Sequence, residues 1–162
     1  MVVQSSEVIP AQLDLGYLAF FLGLRINELV VGQMEKAGLR GVRESHGYVI
    51  QHLIGAERSI TELAERMGVT QQASSKIVAE LVELGVLEVT AGEDRRAKRV
   101  SLSPRGERLV SFSRLARRQV HQRLLRKVGE GKYKTARGLV LECLQALGGL
   151  GAVKERRIRM AR

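Results

Sequence analysis

Ser59-Ile60-Thr61-Glu62-Leu63-Ala64-Glu65-Arg66-Met67-Gly68-Val69-Thr70-Gln71-Gln72-Ala73-Ser74-Ser75-Lys76-Ile77-Val78-Ala79-Glu80-Leu81-Val82-Glu83-Leu84-Gly85 is the stretch that decides the fold. It holds two helix starts and two helix stops. Ser59 followed three residues later by Glu62 is a capping box, in which hydroxyl and carboxylate each satisfy an otherwise unpaired backbone N–H. Leu63, Ala64 and Met67 give this helix a short apolar face, and Gly68 ends it. Thr70 caps a second helix that turns Ala73, Ile77, Val78 and Leu81 inward, and Gly85 ends that one. A short helix, a tight turn and a second helix make a helix-turn-helix. The first helix braces the second, which lays its N-terminal polar face in the major groove. On this reading Gln71, Gln72, Ser74, Ser75 and Lys76 face outward. Gln can bond adenine through two hydrogen bonds, and Ser and Lys can reach bases or phosphates. Polar residues alone leave an ordinary solvated helix face open as the alternative.

Past Gly85 the period changes from helical to alternating. Leu87 and Val89 alternate with Glu88 and Thr90, and Val100 and Leu102 with Arg99, Ser101 and Ser103. These read as two short strands joined by a polar tip from Ala91 to Lys98. Arg95, Arg96, Lys98 and Arg99 sit on or beside the tip, where a guanidinium fits the narrow, electronegative minor groove. Asp94 reads as a local clamp that orients a neighbouring arginine. Ser103-Pro104 is an N-cap followed by proline at the first helical position. A long helix follows, then a last one over roughly 130–148 that carries Cys143 on its apolar stripe, read as a core position. The tail from Lys154 reads as basic and frayed. Upstream, 12–37 reads as a long helix with Leu15, Leu18, Leu22, Ile26, Leu29 and Val30 in one stripe and Phe20, Phe21, Leu24 and Val31 outside it. A helix apolar on more than one face is buried on more than one face, so part of this surface belongs to a partner chain. A second helix runs from about 43 to 54.

Composition narrows the function. Lys and Arg number 27 against 17 Asp and Glu, a net charge of +10, which points to an anionic partner, nucleic acid first. The single cysteine excludes an intrachain disulfide and fits a reducing compartment. The apolar run Tyr17 to Leu24 is cut by Arg25 and Asn27, short of the ~20 residues of a membrane span. The chain is therefore expected to be cytoplasmic, with no membrane partner. There is no Gly-rich phosphate loop, metal-spaced cluster or nucleophile motif, so no enzyme and no cofactor are expected.

Ser59 to Ala64, Thr70 to Leu84, Gly85-Val86-Leu87 and Asp94-Arg95-Arg96 followed by Val100-Ser101-Leu102-Ser103-Pro104-Arg105-Gly106 together resemble the MarR family of transcriptional regulators. The resemblance extends over nearly the whole chain, and the hairpin signature is its most specific part. It implies a mainly α fold with a small β-hairpin wing: a winged helix-turn-helix over 42–103, inserted between long dimerisation helices over 1–41 and 104–162. It implies a homodimer gripping a palindrome of double-stranded DNA. The recognition face would fall on Thr70, Gln71, Gln72, Ser74, Ser75 and Lys76. The wing contacts would fall on Arg95, Arg96 and Lys98, with Asp94 as clamp. Family members usually repress and release DNA on binding an aromatic or lipophilic effector. The reactive cysteine of family peroxide sensors and the tryptophan of its urate sensors have no counterpart here.

Candidate effector-pocket residues are Tyr17, Arg25, His46, Tyr48 and His52, expected where the second helix meets the dimer helices. His46 and His52 share no helix face well, so a metal pair is not expected. The expected function is a sequence-specific regulator, a ligand-responsive repressor acting as a homodimer. The alternative is an architectural, nucleoid-type DNA binder of low specificity.

Overall fold

The computed structural model describes residues 8–91 and 98–157. A short 3-10 turn at Pro10–Gln12 leads into helix α1 (Leu15–Lys36), followed by α2 (Glu44–His52), α3 (Ile60–Met67) and α4 (Gln71–Glu83). Strands β1 (Leu87–Ala91) and β2 (Lys98–Leu102) form an antiparallel pair with Leu87 opposite Leu102 and Ala91 opposite Lys98. Helices α5 (Pro104–Val128), α6 (Glu130–Ala146) and α7 (Leu150–Glu155) complete the described chain. The architecture is mainly helical with a small hairpin.

The local chemistry behind the helix pair is that of the sequence. Ser59 accepts from the Glu62 backbone N–H at 3.2 Å, and Glu62 accepts from the Ser59 N–H at 2.6 Å. Gly68 ends α3 in the left-handed conformation (φ 69°), a region that costs a side chain dearly. That turn lets the Val69 N–H reach back to the Ala64 carbonyl at 3.0 Å, and it swings the chain directly into the Thr70 cap of α4.

One core holds the helices and hairpin together. Val49, Ile50 and Leu53 of α2, Leu63 and Met67 of α3, and Val78 and Leu81 of α4 pack with Val86, Leu87 and Val100 at the hairpin base. Val30 and Met34 of α1 and Leu109, Val110, Ala116 and Val120 of α5 belong to the same cluster. The two long helices thus enter the winged module rather than merely flank it. The other end of α1 is bare, with Leu15, Tyr17, Leu18, Phe20, Phe21, Leu22 and Leu24 exposed, and α6 exposes Leu139, Val140 and Leu141.

The junction between α4, the hairpin and α5 is dense. The Ser103 hydroxyl donates to the Gly85 carbonyl at 2.6 Å and accepts from the Gly106 N–H at 3.0 Å. The Ser103 N–H bonds the Val86 carbonyl at 3.0 Å. Gly106 lies in the first turn of α5 against that same carbonyl, with Leu102 Cδ2 3.2 Å from where a Cβ would stand. Arg58, just before α3, adds a two-bond bridge to Val100 and so lines the free edge of β2.

Three expectations change. The last long helix stops at Ala146, and a further short helix, α7, occupies part of the tail read as frayed. Cys143 is exposed rather than packed, because α6 buries none of its residues within the single chain. The first helix, read as too interrupted to span a membrane, runs 22 residues and is long and apolar enough to do so by length and composition. Arg25 and Glu28, paired along its side, and Asn27 are the polar residues within the apolar stretch from Leu15 to Val31.

Gly106→Ala should lower the free energy of unfolding by about 1–3 kcal/mol, because the new methyl group meets backbone that cannot move away. Urea denaturation followed by far-UV circular dichroism measures it; an unchanged midpoint would mean the junction is looser than its contacts indicate.

Candidate nucleic-acid interface

The surface of α4 follows from its phase. Ser74, Val78 and Leu81 form the buried stripe, with Ile77 and Leu84 at its margin. Thr70, Gln71, Gln72, Ala73, Ser75 and Lys76 are exposed. The helix therefore presents an amide-, hydroxyl- and amine-bearing face at its N-terminal end, where a recognition helix meets base edges.

Ser74 corrects the sequence reading. It is fully buried, and its hydroxyl donates to the Ile60 carbonyl at 3.3 Å, so it braces α4 on α3 and cannot touch a nucleic acid. Ala73, read as inward, takes the exposed place. The reading followed hydrophobicity, whereas the helix phase is set by Val78 and Leu81, and Ser74 falls four residues before Val78. A small buried hydroxyl with a carbonyl acceptor costs little there.

The hairpin projects beside α4. Lys98 is exposed at the tip end of β2. Asp94, Arg95 and Arg96 lie outside the described residues. Arg99 is occupied elsewhere: its guanidinium donates to Glu62 at 2.6 Å, tying the wing to the cap of α3. The Glu62 carboxyl is held below the ordinary carboxylate range, first by the Ser59 N–H and hydroxyl and then by the charge of Arg99. One carboxylate thus caps the bracing helix and fixes the root of the wing.

The sequence of this module matches a known one. The model of the MarR family matches residues 40–97, which spans α2, α3, α4 and β1. The winged module, residues 40–97, is thus similar to that of the MarR family. Solved structures agree on the fold. The YusO protein from Bacillus subtilis aligns over 86% of this chain and 99% of its own, with a TM-score of 0.66 and 24% identity. The reduced form of MarR from E. coli gives 86%, 99%, 0.66 and 21%. A point mutant of MepR from S. aureus, bound to an oligodeoxyribonucleotide, gives 84%, 99%, 0.59 and 15%. At these identities the likeness is one of fold. No curated protein matches the chain in sequence.

A cavity of about 220 Å³ lies where α2 meets α1 and α5. Its apolar walls include Val30, Met34, Ile50 and Leu109, and Arg43, Arg114 and Arg117 are its cations. None of the five candidate effector residues lines it. Tyr17 and Arg25 stand on α1 away from it, and Tyr48 faces a separate cavity between α2 and α7. His46 and His52 are both buried, His46 one turn before Val49 and Ile50 and His52 next to Leu53. The α2 residues on the cavity side are Glu44, Gly47, Ile50 and Gln51, flanked by Arg43 and Ile54, a set only partly polar and so without a signature in sequence.

Charge is also distributed unexpectedly. Residues 42–103 hold 8 Lys and Arg against 9 Asp and Glu, whereas residues 104–162 hold 16 against 4. The basic excess lies in the sequence after the wing, not in the winged module.

Because Glu62 has a depressed pKa in the folded state, its contribution is present above the ordinary carboxylate value and lost as pH falls through the folded value. The stability gap between the wild type and Glu62→Gln should therefore narrow between about pH 7 and about pH 3. Urea midpoints across that range test it; a constant gap would remove the ionised carboxylate from the account.

Proposed function

We propose that this chain is a ligand-responsive, sequence-specific repressor that binds a palindromic operator as a homodimer. The observation that carries the reading is the polar, exposed N-terminal face of α4 beside a projecting hairpin on a MarR-family module. Thr70, Gln71, Gln72, Ser75 and Lys76 would meet the major groove, and Arg95, Arg96 and Lys98 the flanking minor groove or phosphates. Asp94 would steady the wing arginines. The MepR structure with an oligodeoxyribonucleotide supports duplex DNA as the partner of this fold. A DNA-borne regulator works in the cytoplasm, and the reading assigns it no catalysis.

Dimerisation is supported by the bare apolar ends of α1 and α6. Leu15, Leu18, Phe20, Phe21, Leu22 and Leu24 form a patch of the kind that marks an interface. A membrane is the rival occupant, since α1 is long and apolar enough to cross one. Spanning would strip Val30 and Met34 from the core they share with α2 and α5, so a second copy fits better. Two modules so joined would set recognition helices about 34 Å apart, one turn of duplex. A small anion with an apolar body suits the cavity between α1, α2 and α5, and favouring one helix spacing over another is how it would release the operator.

Selection of bound sequences from random DNA tests the reading. It should yield a palindrome, and Gln72→Ala should relax preference at one or two base pairs at a cost of about 1–3 kcal/mol. Recovery of unrelated sequences would favour the architectural alternative. Leu22→Asp should give monomers in sedimentation velocity, since it places an unpaired charge in the interface. A stable dimer from that variant would move the interface elsewhere.

A further inference from the structure

We propose that Arg43 is the sensing residue of this regulator: a ligand carboxylate in the α1–α2–α5 cavity and Glu80 of the recognition helix compete for its guanidinium. The proposal rests on the ligand-responsive reading above and adds the group through which the ligand acts.

Arg43 stands at the N-terminus of α2, and its side chain does two things at once. It lines the cavity, and it pairs with the carboxylate of Glu80 on α4. Glu80 has a second donor. The Arg43 backbone N–H donates to His46 Nδ1 at 3.2 Å, which leaves the ring proton on Nε2. That Nε2–H faces the Glu80 carboxylate at 3.1 Å. Among the described residues, these two contacts to Glu80 are the side-chain hydrogen bonds that join α2 to α4.

The two donors differ in freedom. The His46 side chain is 1% exposed and fixed by its packing, whereas that of Arg43 is 63% exposed and can swing. The movable donor is the one that reaches the cavity. Across the cavity stand Arg114 and Arg117 of α5, against Glu44 as the one carboxylate in the lining. An anion held there by the α5 guanidiniums draws Arg43 inward. Glu80 then keeps only His46, and α4 loses half of its polar fastening to α2.

The ligand class follows from the lining. Apolar walls of Val30, Met34, Ile50 and Leu109 accept a ring or short chain, and the arginines require a carboxylate or an equivalent anion. A neutral isostere fills the same space without competing for Arg43. Reciprocity adds a second consequence: removing Glu80 frees Arg43 and tightens the anion while loosening the operator.

The test uses the full-length protein, its selected duplex, and benzoate and benzamide as probes. Benzoate at saturation should weaken duplex binding about tenfold in the wild type, and benzamide less than about twofold. Glu80→Gln should bind the duplex more weakly without any probe, bind benzoate more tightly than the wild type, and respond to it less than about twofold. Arg43→Gln, which removes the cavity cation together with the Glu80 pair, should still take benzamide and lose its benzoate response. Equal effects of the two probes, or a Glu80→Gln protein that responds to benzoate like the wild type, would overturn the competition and leave ligand gating standing. Failure of both probes to bind the wild type, by calorimetry, would remove the ligand-responsive reading and the proposal with it.

Discussion

The hydroxyl of Ser103 is the point on which this fold turns. It donates to Gly85, which ends the recognition helix, and accepts from Gly106 in the first turn of α5. The hairpin ends on the same residue, whose N–H bonds the Val86 carbonyl. Recognition helix, wing and long helix are therefore fixed to one another within four consecutive residues at the start of α5. Nothing bulkier than glycine fits at Gly106, because the Val86 backbone lies against it. A second, half-exposed point of closure is Glu62, which caps α3 and holds the wing through Arg99. Between them these groups fix α4 and the hairpin to one frame, and such fixing is what the proposed discrimination between bases would require.

Rigidity inside the module shifts the freedom to its borders. The long helices share the core through Val30, Met34, Leu109 and Val110, yet expose their far ends. A displacement of α1 or α5 therefore acts on the module as a whole and not on α4 alone. Among the described residues, α2 lies between the cavity and α4 and reaches both through Arg43 at its N-terminus. A charge-based sensor at Arg43 suits that position, since an ion pair can be exchanged without repacking a core whose interior positions tolerate little change in volume.

Elements with local chemistry were legible in the sequence. The Ser59–Glu62 box, the Gly68 and Gly85 stops, the Thr70 cap, the period-two strands and Ser103-Pro104 each act within a few residues, and each appears in the fold where its chemistry puts it. What failed depends on phase or on contacts between distant segments. Ser74 and Ala73 exchange places because a serine with a carbonyl acceptor can be buried as readily as an alanine. The cavity lining escaped notice because it draws on three helices, each giving residues unremarkable on their own. Cys143 reads as core because its stripe is apolar, but among the described residues nothing covers it. The tail gained α7, which is fastened to α2 by a reciprocal pair of bonds between Gln51 and Arg156 at 3.2 Å, partners 105 residues apart.

The uneven placement of charge has its own outcome. The cations that dominate the composition stand on helices that would face their own copies, while the reading module is close to neutral. Electrolyte then acts in opposite senses on the two steps of assembly. Screening relieves repulsion between like helices and so promotes pairing of subunits, whereas counterion release makes capture of the duplex weaker as salt rises. Occupancy of an operator by dilute protein would accordingly pass through a maximum at intermediate ionic strength instead of declining steadily.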